Sequence, residues 1–293
     1  MTRVVAVTGG KGGTGKTLLA VNLAYIFSKR GRTLLVDVDV DNPCTRTFFK
    51  TDPVSKITVK EFRPEINQVR CKLCGICVQN CHGHALLLVP GQKIVLMPSL
   101  CEGCAICKLV CPFKAITDSW VDSGYIEEYE VDGNLDAVVG ELSPTTKRTP
   151  VMILKTLRHA GKKMENYRYV VVDSPPGTGS GIYAVMDYAD LIVSVTEPTR
   201  LGLSDLMKIY KLYEKVKSRK FMLAVVNKSG IRGELREELE ETLSNLKVEW
   251  RKIPYDESAV KSCVEGSILV ERFPEAPSAQ AITKIARELL EGS

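Results

Sequence analysis

Val4-Val5-Ala6-Val7-Thr8-Gly9-Gly10-Lys11-Gly12-Gly13-Thr14-Gly15-Lys16-Thr17, close to the start of the chain, joins a β-rich run to a glycine-rich turn. A helix follows, because Leu18, Leu19, Val21, Asn22, Leu23, Ile26 and Phe27 recur at helical spacing before Gly31 stops the pattern. From Gly10 to Thr17 the stretch fits G-x-x-x-x-G-K-[ST] in the setting that pattern requires, after a strand and at the opening of a helix. Backbone N–H groups of Gly10, Lys11, Gly12, Gly13, Thr14 and Gly15, together with the helix N-terminus, can then surround phosphates. Lys16 would bring a point charge to the β- and γ-phosphates, and Thr17 would offer its hydroxyl to Mg2+.

Outward from this turn, the next strand is read at 33–38, and further apolar runs lie at 137–139, 169–172, 191–195 and 221–226. Helical patterns separate the later runs, so the fold class is α/β: a mostly parallel sheet with helices on both faces. The charge-rich segment 234–241 reads as a helix packed through Leu235, Leu239 and Leu243. Near the C-terminus, Ile282, Ile285 and Leu289 mark a docking helix; Glu288 and Glu291 weaken any attraction to anionic lipid.

The chain has 293 residues, an apolar fraction of 44% and a formal charge of +5. No stretch approaches the roughly twenty apolar residues of a membrane span, and the N-terminus enters a strand directly, which implies a cytoplasmic protein without a membrane anchor. Its Lys and Arg residues are scattered and not interleaved with aromatics, so no nucleic-acid partner is expected. Of the 10 cysteines, eight fall in two runs and only Cys44 and Cys263 lie outside them, as ordinary small buried residues. A reducing compartment fits this pattern better than a disulfide framework.

The runs are Cys71-x-x-Cys74-x-x-Cys77-x-x-x-Cys81 and Cys101-x-x-Cys104-x-x-Cys107-x-x-x-Cys111-Pro112. In such spacing three thiolates reach one cluster from a tight loop and the fourth ligates the other cluster. Cluster one would take Cys71, Cys74, Cys77 and Cys111; cluster two would take Cys101, Cys104, Cys107 and Cys81, both as 4Fe–4S centres. Paired C-x-x-C motifs also serve zinc, but three cysteines at this spacing, twice, suit iron–sulfur better. Full thiolate sets leave His82 and His84 no vacancy, so they read as surface residues. Leu86 and Ile94 begin two short runs flanking Pro90-Gly91-Gln92, a hairpin signal. Asp52-Pro53 and Asp132-Gly133-Asn134 bracket the block. It therefore reads as an inserted α+β domain at 55–126, similar to bacterial-type ferredoxins with two 4Fe–4S clusters, within a discontinuous domain of 1–54 and 127–293.

Lys11 is extra to the phosphate-loop pattern, and Lys11-Gly12-Gly13-Thr14-Gly15-Lys16-Thr17 resembles the deviant Walker A loop of the MinD/ParA/Mrp class of P-loop ATPases. The resemblance implies that Lys11 reaches the phosphates of the other subunit in a nucleotide-dependent homodimer. Asp37-Val38-Asp39-Val40-Asp41-Asn42-Pro43 is similar to the family's first switch; Asp39 would orient or activate the attacking water and Asp37 would sit nearer the Mg2+ shell. The 169–177 stretch resembles the Walker B strand and second switch, with Asp173 holding Mg2+ and Gly177 sensing the γ-phosphate. Asn227 and the Ile253-Pro254-Tyr255-Asp256 loop fall at the family's base-side positions.

Together these features imply an ATPase that binds ATP or ADP with Mg2+ and hydrolyses ATP with Lys11, Lys16 and Asp39 as its catalytic residues. Its nucleotide state would be coupled to electron transfer through two 4Fe–4S clusters, serving a redox or metallocofactor-assembly partner. The alternative is a cluster scaffold or carrier whose clusters are cargo.

Overall fold

The computed structural model describes residues 2–144, 149–216, 220–231 and 235–291. Two compact units divide the chain: Met1–Lys56, Ile126–Glu141 and Thr149–Ser293 form the first, Ile57–Tyr125 and Leu142–Arg148 the second. The elements begin with β1 (Arg3–Thr8), α1 (Lys16–Ser28), β2 (Thr33–Asp37), β3 (Ser55–Ile66), α2 (Ile76–Gln79), β4 (Leu86–Val89), β5 (Lys93–Leu96) and α3 (Ile106–Leu109). Next come β6 (Ile116–Asp132), β7 (Leu135–Leu142), α4 (Thr149–Gly161), β8 (Tyr169–Asp173), α5 (Ser180–Tyr188), β9 (Leu191–Thr196) and α6 (Arg200–Val216). The chain closes with β10 (Phe221–Ser229), α7 (Arg236–Asn245), β11 (Glu249–Pro254), α8 (Glu257–Glu265), α9 (Leu269–Arg272) and α10 (Pro277–Glu291).

The main sheet has the order β11-β10-β9-β1-β8-β2-β7-β6-β3. Around its centre the pairing is parallel, β1 with β8 and β9, β2 with β7 and β8, and β10 with β9 and β11. Alternate residues of one strand enter different cores. Val193, Leu223 and Val225 pack with Leu23 and Phe27 of α1 and with Ile282, Ile285 and Leu289 of α10. Ile192, Met222, Ala224 and Val226 pack with Met186, Leu206, Ile209, Leu239 and Leu243 of α5, α6 and α7. Successive side chains of a strand point to opposite faces, so this partition puts helices on both sides of the sheet. The α/β, mostly parallel architecture expected from the alternation is present.

Register places the sheet's polar ends side by side. Val7 pairs with Asp173 and Asp173 with Asp37, so three adjacent strands finish at one level. That level is where α1 starts.

Three strands escaped the sequence reading. β3 and β6 carry polar or charged residues at many positions and are only partly buried, so neither shows a continuous apolar run. β11 carries Glu249, Arg251 and Lys252 along an end strand of the sheet and likewise shows no apolar run. The α7 helix begins at Arg236, and Glu234 lies outside the described residues. Leu239 and Leu243 are buried as expected, while Leu235 stands at the helix start. No described helix is long and apolar enough to cross a membrane.

In the second unit, β4 and β5 form an antiparallel hairpin, pairing Leu86 with Leu96 and Val89 with Lys93. Its small core contains Phe62, Leu86, Ile94 and Ile116 with the two buried cysteines Cys77 and Cys107.

Candidate functional site

The phosphate loop leaves β1 and enters α1 at Gly15, whose φ of 95° lies in the left-handed region. A Cβ built on Gly15 would meet the Asn227 side-chain nitrogen at 2.3 Å, so both conformation and space select glycine. Around Gly12 and Gly13 there is open space for a ligand. Lys16 is 5% exposed and its Nζ donates to the Lys11 carbonyl at 2.6 Å, bending its charge back over the loop. Burial pushes the Lys16 pKa down, and Asp173 and Asp39 pull it back up.

Opposite this ammonium stand the carboxylates. Asp173 is 0% exposed, and both its oxygens are buried without a hydrogen bond of ordinary geometry, although the Thr17 hydroxyl is near enough to lower its pKa. Burial and then Asp37 drive that pKa well above the carboxylate range. Asp39 is pushed up to about 7, by burial first and by Asp37 next, against the pull of Lys16. Asp37 is also 0% exposed but accepts hydrogen bonds from Asp39 and Thr45. Asp41 stands apart as a turn residue, with the Thr149 hydroxyl on its oxygens at 2.9 and 3.1 Å. An unshared buried carboxylate beside a hydroxyl is a setting that a divalent cation relieves, so Mg2+ fits at Asp173 and Thr17.

Two side chains from the end of β10 brace the loop from the other side. Asn227 donates from Nδ2 to the Thr14 carbonyl at 2.7 Å, and Lys228 from Nζ to the Gly13 carbonyl at 2.8 Å while pairing with Glu197 at 2.5 Å. Beyond them a pocket of about 150 Å³ is lined by Asn227, Pro254 and Tyr255 together with Leu18, Ile253 and Val260. These apolar walls suit a flat ring, and the base-side residues expected from the sequence do meet there. Asp256, at the start of α8, accepts from the Ser258 N–H and from the Ser278 N–H and hydroxyl, tying α8 to α10 under this pocket.

Cys263 corrects an expectation: it is exposed and also lines the pocket, because α8 turns that face outward instead of into the core. Cys44 is half-buried, its thiol donating to the Asn42 carbonyl, and burial with Asp37 nearby pushes its pKa up. Lys228 and Thr45 were not foreseen; each acts across the fold on a backbone or carboxylate that no local pattern points to.

In the second unit the cysteines gather by fours. Cys71, Cys74, Cys77 and Cys111 line one hollow, and Cys81, Cys101, Cys104 and Cys107 line another. The backbone repeats with them. Left-handed residues at Leu73, Gly75 and His84 recur at Gly103, Ala105 and Lys114, and four-residue helices follow at Ile76–Gln79 and Ile106–Leu109. The Ala85 N–H donates to Cys81 Sγ at 3.2 Å, as the Ala115 N–H does to Cys111 Sγ at 3.3 Å. For non-glycine residues the left-handed form costs roughly 1–2 kcal/mol each, a strain kept at Leu73, Ala105, His84 and Lys114. Burial raises the Cys77 pKa and pushes Cys107 to about 11, with neighbouring thiols adding to both. His82 and His84 are exposed. Among the described residues no three His, Cys, Asp or Glu side chains converge to hold a single metal ion.

Over residues 5–270 the chain matches the CbiA family, the CobQ/CobB/MinD/ParA nucleotide binding domain. It is 31% identical over 264 residues to the uncharacterized protein MJ0579 of Methanocaldococcus jannaschii, covering 90% of each chain. Its fold is similar to that of the cell division ATPase MinD of Pyrococcus furiosus, with a TM-score of 0.62 at 19% identity over 100% of both chains. The septum site-determining protein MinD of Pyrococcus horikoshii OT3, solved with Mg-ADP, gives 0.63 at 19% identity over 99% of this chain and 97% of that one.

Proposed function

The chain belongs to the CobQ/CobB/MinD/ParA nucleotide-binding family, and from that premise we propose that it is a Mg2+-dependent ATPase coupled to iron–sulfur chemistry. The observation that carries the ATPase reading is the pairing of an open glycine loop and buried Lys16 with an acid, Asp173, whose buried oxygens have no hydrogen bond of ordinary geometry. A Mg2+–polyphosphate answers both demands at once, anion to the loop and cation to the acid. When bound, Mg2+ neutralises charge developing on the transferred phosphoryl group. Thr17 and Asp173 would hold it. Lys16 keeps the phosphates in place, Gly177 follows them on the second switch, and Asp39 orients the attacking water. Lys11 would act across a homodimer.

Two features support 4Fe–4S clusters on the second unit: the quartets of thiols and the strained backbone that repeats with them. A unit confined to 57–125 and 142–148 has little core, and domains that small commonly rely on a metal or disulfide. In a cubane each thiolate binds its own iron, so four sulfurs need not converge on one point as they must for zinc. The clusters would carry electrons to a redox or metallocofactor-assembly partner, with nucleotide state biasing the partner's affinity. A scaffold role, with clusters as cargo, is favoured by the exposure of Cys74 and Cys104. Ligation of each cluster by four thiolates favours retention.

Lys16→Ala tests the first half. ATP hydrolysis should vanish while the visible iron–sulfur absorption persists; surviving hydrolysis would remove the phosphate-loop assignment. Iron and sulfide counts after anaerobic purification, followed by redox titration with and without ATP, test the second half. Absence of sulfide, or potentials indifferent to ATP, would remove it.

A further inference from the structure

We infer that Asp37 is not a metal ligand but the anchor of the turn that carries Asp39, and that Thr45 is the positioning residue that holds this anchor. This rests on the reading of the site as a Mg2+–nucleotide site.

Asp37 and Asp173 are register partners at the ends of β2 and β8, equally buried, yet their hydrogen bonding is opposite. Asp37 Oδ1 accepts from the Asp39 N–H at 2.9 Å. Its Oδ2 accepts from the Thr45 N–H at 3.1 Å and the Thr45 hydroxyl at 2.8 Å; burial raises the Asp37 pKa, and these bonds work against that rise. An ionised carboxylate has about four lone-pair sites, and three of those on Asp37 are taken by hydrogen bonds from the protein. Asp173 has none of its own taken up by an ordinary hydrogen bond. A cation, or a water bound to it, needs free lone pairs, and Asp173 offers both its oxygens where Asp37 has each oxygen already engaged, so Asp173 and not Asp37 faces the metal.

The same bonds fix the segment after β2. Thr45 is 0% exposed and opens the short 3-10 turn Thr45–Phe48. Next to it, Arg46 forks onto Glu141 at 2.7 and 3.1 Å and lies 3.5 Å from Glu127, which also accepts from Lys56 and Tyr129 at 2.7 Å each. The turn through Asp39 is therefore pinned at its start by Asp37 and at its end by Thr45 and Arg46. Asp39 keeps its place opposite Lys16 because its own N–H is one of the bonds that Asp37 accepts.

The test measures ADP affinity in Mg2+ and in EDTA, and the kcat for ATP, in wild type, Asp173→Asn, Asp37→Asn, Thr45→Val and Thr45→Ser. Wild type should bind ADP more tightly in Mg2+, and Asp173→Asn should lose that gain. Asp37→Asn and Thr45→Val should keep the gain while kcat falls about ten- to hundredfold, the penalty of a displaced catalytic group. Thr45→Ser should restore kcat. Thr45→Val removes one hydroxyl from a site that keeps its backbone bond, so it stands in if Asp37→Asn does not fold. Loss of the Mg2+ gain in Thr45→Val or Asp37→Asn, or a wild-type kcat in Thr45→Val, overturns the inference. A wild type indifferent to Mg2+ refutes the nucleotide–metal reading itself and the inference with it, an outcome visible before any variant is compared.

Discussion

Replacing Asp173 by Asn should stabilise the ligand-free protein and, in the same molecule, abolish its stabilisation by Mg2+–nucleotide. Asp173 pairs in register with Asp37, and adjacent strands lie about 4.8 Å apart. Two charges about 5 Å apart at an effective dielectric constant near 20 repel by roughly 3 kcal/mol. Asn removes that repulsion and the charge's burial cost, but it loses attraction to Lys16 and brings an unpaired buried amide, costing about 1–3 kcal/mol. With the burial cost removed and the Lys16 attraction lost taken as offsetting each other, roughly 3 kcal/mol of repulsion against about 2 kcal/mol for the amide leaves about 1 kcal/mol in favour of Asn, or roughly 2–4 °C in Tm for a domain of this size. The assay is thermal unfolding in EDTA at pH 8, where the acid is more fully ionised, repeated with saturating Mg2+–ADP. Ligand at a hundredfold excess over Kd should stabilise wild type by about 2.7 kcal/mol, and Asp173→Asn should forfeit the Mg2+-dependent share. A structural carboxylate would give the opposite first result, since removing it would lower Tm. Lower Tm in EDTA, or a full ligand shift, refutes the reasoning.

Gly15→Ala should cost roughly 1–2 kcal/mol for the left-handed backbone and break the Asn227 bond to Thr14, lowering nucleotide affinity by about tenfold or more; equal binding in a titration would contradict this. Asp256→Ala should cost about 2 kcal/mol in urea unfolding at neutral pH, as a helix cap and a tie to Ser278 are lost together. Burial raises the Asp256 pKa, but the bonds from Ser278 and Ser258 outweigh it and hold the value below the ordinary one. Its stabilisation is thus complete above the unfolded pKa near about 4 and fades as pH falls through the folded value. The gap between wild type and variant should narrow below about pH 4, and a flat gap would deny the ionic role. Cys81→Ala should disturb the same paramagnetic cluster as Cys101→Ala and leave the one perturbed by Cys71→Ala; a signal grouped with Cys71 would reject the crossed quartets.

What could be read from residues alone was local. The Gly10–Thr17 pattern, the apolar runs ending in Asp37 and Asp173, and the cysteine spacings all express constraints acting over a few positions, such as left-handed turns, two-sided burial and thiolate reach. Those readings placed the glycine loop between a strand and a helix and the acids at strand ends, as the structure has them, and Asn227, Pro254 and Tyr255 line one pocket. β3, β6 and β11 were illegible because their stability comes from neighbours in a sheet and not from an apolar run of their own. The division of labour among the acids was equally hidden. Asp37 and Asp39 look alike in sequence, and so do Asp37 and Asp173 at the ends of buried strands. Only tertiary structure decides that Thr45 fills the lone pairs of one and leaves the other unshared, because hydrogen-bond satisfaction depends on which donors the register brings within about 3 Å.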